Sequence, residues 1–220
     1  GRPVVPRTGY IVEFNALWYN ALKFYKELAG DKADESVDVL INKMDTSFVE
    51  TFLNGYNYLL DSVSGGYVDW SVRPNMIFTV AFPYSPLNRV QKRAVIDIVT
   101  KELVTPKGLR SLSPKSEGYR PNYVGTQNER DLAYHQGTAW PWLFGAYLES
   151  YLKIFGKGGI SFVERMLISM EEEMSLHCIG TLAEIFDGNP PYTGRGAVSF
   201  AMNVAAILRV LEMLKKYNAE

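Results

Sequence analysis

Seven stretches of helical periodicity, joined alternately by short plain connections and long chemically dense ones, constrain this chain more than any motif in it. Val12–Ala29 steps Leu17, Ala21, Phe24, Tyr25 and Leu28 by three and four residues, and Gly30 follows as a C-terminal stop. Asp34 or Ser36 caps a second helix to about residue 53, with Val37, Leu40, Ile41, Met44, Phe48 and Phe52 on one face. A third, short helix covers about 74–82, with Pro74 in its first turn. A fourth runs over about 87–103 with Val90, Ala94, Ile98 and Leu103 as its stripe, and a fifth over about 137–155. The sixth covers about 160–176, and the last about 197–216 buries Val198, Ala201, Val204, Ala205, Leu208 and Leu211. No alternating run of useful length occurs, so the chain reads as all-α, with short strand pairs in the loops.

The connections from helix one to two, three to four and five to six are short. Those from two to three, four to five and six to seven are long. Helices therefore come as hairpins, and every long connection precedes an odd-numbered helix. In a ring of such hairpins this gathers Glu13, Arg73, Gln136 with Trp140, and Glu184 around the N-terminal ends of the inner helices. Such ends carry partial positive charge and unpaired N–H groups, which suit acidic side chains and hydroxylated ligands. The expected fold is an α/α toroid, or part of one.

The chemistry is narrowed mainly by what is missing. With 23 basic and 24 acidic side chains and no basic run interleaved with aromatics, nucleic acid is not an expected partner. No segment reaches the roughly 18 apolar residues of a membrane span, and the start lacks a basic-then-apolar signal pattern. One cysteine, Cys178, allows no internal disulfide and fits a reducing, cytoplasmic setting. The segment GRPVVPRTGY begins with no preceding helix or strand, which suggests that Gly1 is a cut end. His135 and His177 lie 42 positions apart with no Cys near His135, so neither a zinc site nor any cofactor is expected. No G-x-S-x-G elbow or phosphate-binding glycine loop occurs.

Sugar chemistry fits what remains, because hydrolysing an acetal needs two carboxyl groups and a wall of aromatic and amide groups around a neutral ring. Glu13, Glu129, Asp131, Glu184 and Asp187 are the carboxylates in the dense loops, and Tyr134, Trp140, Trp142 and Tyr192 are the platforms. Each also has a structural role open to it. Trp140 and Trp142 flank Pro141 and can anchor a core. Arg130 and Asp131 can pair or cap, Asp187 before Gly188 can serve a turn, and Glu13 at a helix start gains from the dipole alone. The 181–196 loop, TLAEIFDGNPPYTGRG, is the densest of these connections.

Five stretches, in this order, resemble the C-terminal glucosidase domain of glycogen debranching enzymes, the amylo-α-1,6-glucosidases: PRTGYIVEFNALWYNAL at 6–22, RPN with the following AFP at 73–83, TPKGLRSLSPKSEGYRP at 105–121, RDLAYHQGTAWPW at 130–142 and AEIFDGNPP at 183–191. The resemblance implies an (α/α)6 toroid and inverting hydrolysis of an α-1,6-linked glucosyl stub on glycogen, a limit dextrin or another α-glucan. It makes Glu184 the general base, with Glu13, Arg73, Tyr134, His135, Gln136 and Trp140 lining the glucose subsite. In the family the acid is an aspartate in a Thr-Trp-Met-Asp-like motif N-terminal to the PR-x-G segment. Here that segment begins at Pro6, and none of the five preceding residues is acidic. About seven helices stand where a complete toroid has twelve. Residues 1–220 are therefore expected to be the C-terminal part of one toroid domain, inactive alone and partnered by the N-terminal half of the same toroid. Its uncovered apolar faces are expected to self-associate, as a homo-oligomer, or to close on one another. In the last helix the family tends to carry Gln and Trp, where this chain has Phe200 and Met202. The alternative is a non-catalytic α-glucan-binding or helical assembly module.

Overall fold

The computed structural model describes residues 4–177 and 179–219. The expectations placed on Gly1 and on Cys178 fall outside them. The chain divides into two compact units, one of residues 7–71 and 75–98, the other of described residues 4–6, 72–74 and 99–219.

In the first unit, α1 (Val12–Ala29) packs against α2 (Glu35–Phe52) through Tyr19, Leu22, Val37 and Ile41, with Met44 and Tyr84 at the margin. The sequence dictates both ends of this hairpin. Gly30 stops α1 at a positive φ of 54°, and the Asp34 side chain accepts the Ser36 N–H at 2.8 Å to start α2. The next connection supplies β2 (Ser62–Ser64) and β3 (Tyr67–Asp69), which form a three-stranded antiparallel sheet with β1 (Tyr10–Ile11), just ahead of α1. The expected third helix is a 3-10 turn, Pro74–Ile77, followed by a single α turn, α3 (Phe78–Ala81). α4 (Arg89–Glu102) opens on a reciprocal cap in which Asn88 and Gln91 each accept the other's backbone N–H at 2.9 Å.

The second unit is built on α6 (Pro141–Phe155), whose Leu143, Phe144, Tyr147, Leu148 and Leu152 are buried. α7 (Ile160–Glu173) and α8 (Ala201–Ala219) pack on it. α8 comes close because α6 carries Gly145 there: a Cβ on that glycine would stand 2.8 Å from the Ala206 Cβ. The long connections of this unit form a five-stranded antiparallel sheet of two- and three-residue strands. In order these are β4 (Val104–Thr105), β5 (Gly108–Arg110), β6 (Ala139–Trp140), β7 (Ile185–Phe186) and β8 (Gly194–Arg195). The connection from 105 to 136 also holds a short helix, α5 (Gln127–Ala133), started by a capping box between Thr126 and Glu129.

All seven expected helices are present, yet three of the expected faces are not the buried ones. α1 buries Val12, Ala16, Tyr19 and Leu22, while Leu17, Phe24, Tyr25 and Leu28 are exposed. α8 buries Asn203, Ile207, Val210 and Leu214, while Val198, Ala201, Ala205, Leu208 and Leu211 are exposed. In α4 the buried apolar set is Val95, Ile96 and Val99, with the expected Leu103 buried just beyond its end, rather than a stripe starting at Val90, which is 78% exposed. These helices are apolar on more than one side, and a 3.6-residue period then admits two stripes.

Candidate active site

Glu184 sits just before β7, and four hydrogen bonds fix it. Its backbone N–H donates to the Ala197 carbonyl at 2.8 Å, and its carbonyl accepts from the Asn203 amide at 3.0 Å. On the side chain, Oε1 accepts the Tyr134 hydroxyl and Oε2 accepts the Ala197 N–H at 2.8 Å. The carboxylate lies directly over Gly196, where any Cβ would overlap Oε2 and where φ is +72°. Only glycine gives both the conformation and the room. Each carboxylate oxygen has two lone pairs, so one on each remains for a proton or a water.

Tyr134 caps the C-terminus of α5, and the Thr138 hydroxyl donates to its carbonyl at 2.7 Å. Burial first, then the bond to Glu184, raises its phenol pKa well above the ordinary tyrosine value, so the hydroxyl remains a donor through neutral pH. The rings around it form a wall. Tyr134 meets Trp140 edge-on at 4.9 Å, His135 stacks on Trp140 at 5.1 Å, and Tyr123 lies 5.7 Å from Tyr134. Trp140 is held by Pro141 at the first position of α6, by pairing with Leu109, and by its indole N–H donating to the Thr138 hydroxyl at 3.1 Å. The His135 pKa is lowered, mainly because the ring is partly withdrawn from water and also because Arg73 is near; Glu184 opposes this.

Arg73 is buried, and its guanidinium donates to the carbonyls of Ser111 (3.1 Å) and His135 (2.8 Å) and to Gln136 Oε1 (2.6 Å). The amide oxygen of Gln136 is thus engaged by Arg73, which fixes how its NH2 group is presented. Glu184, Tyr134, His135, Gln136, Trp140 and Arg73 therefore lie in one unit and are linked by contacts within it. Glu13 lies in the other unit. There it pairs with Arg7 at 2.5 and 2.7 Å, and Arg7 also holds the buried Asp61, which accepts from Asn75 at 2.9 Å.

The remaining loop carboxylates have structural partners. Asp187 is buried, ion-paired with Arg195 at 2.9 Å and accepting the Tyr123 N–H at 2.8 Å. Glu129 belongs to its capping box, and Asp131 accepts from Gln127 at 2.6 Å. Arg130 donates to Gly125 and Gln127. Residues 119–123 bind the two site loops together: Arg120 N–H donates to the Gln136 carbonyl (2.5 Å), Gly188 N–H to the Pro121 carbonyl (2.7 Å), and the Tyr119 hydroxyl to Asn189 (2.9 Å). Gly188 meets Gly137 so closely that a Cβ at 188 would overlap the Gly137 carbonyl oxygen. Tyr123, Asn203 and the Ala197 N–H are the participants that sequence reasoning missed. Of these only Asn203 carried a signal, as a polar residue on an otherwise apolar helix face.

This arrangement can activate a water beside a neutral, hydroxyl-bearing ring resting on aromatic faces. The chain is similar to known glycosidases. The fold is that of a GH63 mannosylglycerate hydrolase from Thermus thermophilus (TM-score 0.63, 12% identity, 92% of this chain and 45% of that one). It is also that of the neutral trehalase Nth1 from Saccharomyces cerevisiae (TM-score 0.65, 14% identity, 95% of this chain and 40% of that one). Both are α/α-toroid glycosidases, so the fold class is the α/α toroid. In sequence the chain is 27% identical over 192 residues to the glycogen debranching enzyme of Saccharomyces cerevisiae. That match covers 69% of this chain and 12% of the yeast protein, so the chain spans a small part of that relative and under half of the solved ones. Residues 1–209 match the family described as amylo-alpha-1,6-glucosidase, and the chain belongs to that glycoside hydrolase family.

Proposed function

We propose that the protein carrying this chain hydrolyses α-1,6-linked glucosyl stubs on an α-glucan with inversion at the anomeric carbon, and that Glu184 is its general base. The observation that carries this reading is the carboxylate of Glu184, held at one oxygen by Tyr134 and at the other by the Ala197 N–H, beside the wall of Tyr134, His135 and Trp140. Glu184 would draw a proton from a water as that water attacks the anomeric carbon. The aromatic faces and the Gln136 amide would hold the glucose ring.

Inversion needs a second carboxyl group about 6.5–9.5 Å from the first. In this proposal that acid comes from a segment N-terminal to Pro6 in the parent protein, and the 220 residues alone are inactive. The test is the anomer released by the parent from an α-1,6-branched maltooligosaccharide, followed by polarimetry or NMR. β-Glucose is expected, and α-glucose overturns the inverting assignment. Glu184→Gln should lower kcat by about 10²-fold or more, in line with general-base contributions.

A further inference from the structure

Asn203, near the start of α8, reaches Glu184 through its backbone carbonyl. It occupies the first position of the buried stripe of α8, where Ile207, Val210 and Leu214 follow, and it is 0% exposed. Its Nδ2 donates to the carbonyls of Ala183 (2.7 Å) and Glu184 (3.0 Å). Both partners are acceptors only, so the amide must present its nitrogen to them. The Oδ1 that remains is buried and has no hydrogen-bond partner among the described residues. A buried oxygen in that state costs stability, and an apolar residue in this stripe would avoid the cost. What the amide does is grip two successive carbonyls at the base of the Glu184 side chain. It works together with the Ala197 N–H and carbonyl, which hold the same residue by its carboxylate and its backbone N–H.

We infer that Asn203 is a positioning residue for Glu184. It fixes the backbone from which the carboxylate projects, so that Oε1 meets Tyr134 and Oε2 meets Ala197 at once. This rests on the assignment of Glu184 as base. Losing the grip leaves two carbonyls to be satisfied otherwise and frees the 183–184 backbone. Displacement of a reacting group by about 1 Å can cost up to about 10²-fold in rate.

The test is made in the full-length protein with an α-1,6-branched maltooligosaccharide. Asn203→Asp is isosteric but, when ionised, offers no donor to the two carbonyls. A carboxyl buried against two carbonyls holds its proton to raised pH, so the pH is scanned upward from about 6 to about 9, and ionisation should lower kcat by about 10-fold or more with little change in KM. Relative to the unsubstituted protein, its activity should recover as the pH is lowered, because the protonated carboxyl regains an O–H donor. Asn203→Ala leaves room for a water beneath the carbonyls and supplies the same test should N203D not fold, with its loss again in kcat and without the recovery at low pH. Unchanged kcat in folded N203A, or a loss confined to KM in either variant, overturns the inference. Glu184→Gln separates the two ideas. If it retains activity, the assignment of the base falls. If it is inactive while folded N203A turns over normally, only the positioning role falls.

Discussion

Tyr134 is both a wall of the site and a clamp on its carboxylate, and the two roles come apart under mutation. Tyr134→Phe keeps the ring against Trp140 and His135 but removes a hydroxyl bonded to a charged group, a bond worth about 1.5–3 kcal/mol. kcat should fall by about 10-fold or more, with KM for the glucan nearly unchanged. A rise in KM at constant kcat would assign the hydroxyl to the sugar instead. His135 makes a separate prediction about stability. Its pKa in the folded chain is lower than the ordinary 6.5, so the folded state binds its proton less readily than the unfolded state. The stability this contributes is fully present above about pH 6.5 and is lost as the pH falls through the lower folded value. Urea midpoints measured between pH 7.5 and 4.5 should therefore decline less steeply for His135→Gln than for the unsubstituted chain. Parallel declines would count against the shift.

At the level of elements, the closeness of α6 and α8 depends on one missing side chain. Gly145→Val forces branched methyls into the space held by Ala206 and should destabilise by about 1–3 kcal/mol, as overpacking does. For a domain of this size that lowers Tm by several degrees, readable by circular dichroism. An unchanged Tm would mean that the helices move apart freely. The helices themselves were legible because each has apolar residues at three- and four-residue steps and most end at a cap or glycine. Their buried faces were less so. In α8 the true stripe starts with a polar residue, Asn203, and in α1 apolar side chains occupy two faces. α5 was missed because QNERDLA has almost no apolar content, and only the Thr126–Glu129 capping box marks it. By their chemistry the loops offered Glu184 as one of five carboxylates and Tyr134 and Trp140 as two of four platforms, and the resemblance singled these out. They could not announce the Ala197 N–H, because every residue except proline carries a backbone donor.

On the scale of the whole molecule, α1 presents Leu17, Phe24 and Leu28 to solvent, between 51% and 71% exposed, on a face that the described residues leave uncovered. Contiguous apolar faces of this kind drive association. The chain expressed alone should therefore sediment as more than a monomer at tens of micromolar, and replacing these three residues by serine should reduce that association without loss of helicity. A monodisperse monomer would show that the face needs no partner. The contact of Gly188 with Gly137 has a consequence of a different kind. A complete single-substitution scan of the parent, selected for activity, should rank these two positions nearly as intolerant as Glu184, although neither has a group that could react. Directed evolution of this site for a new sugar would have to keep both glycines as a fixed seam and vary the loops only on either side of it.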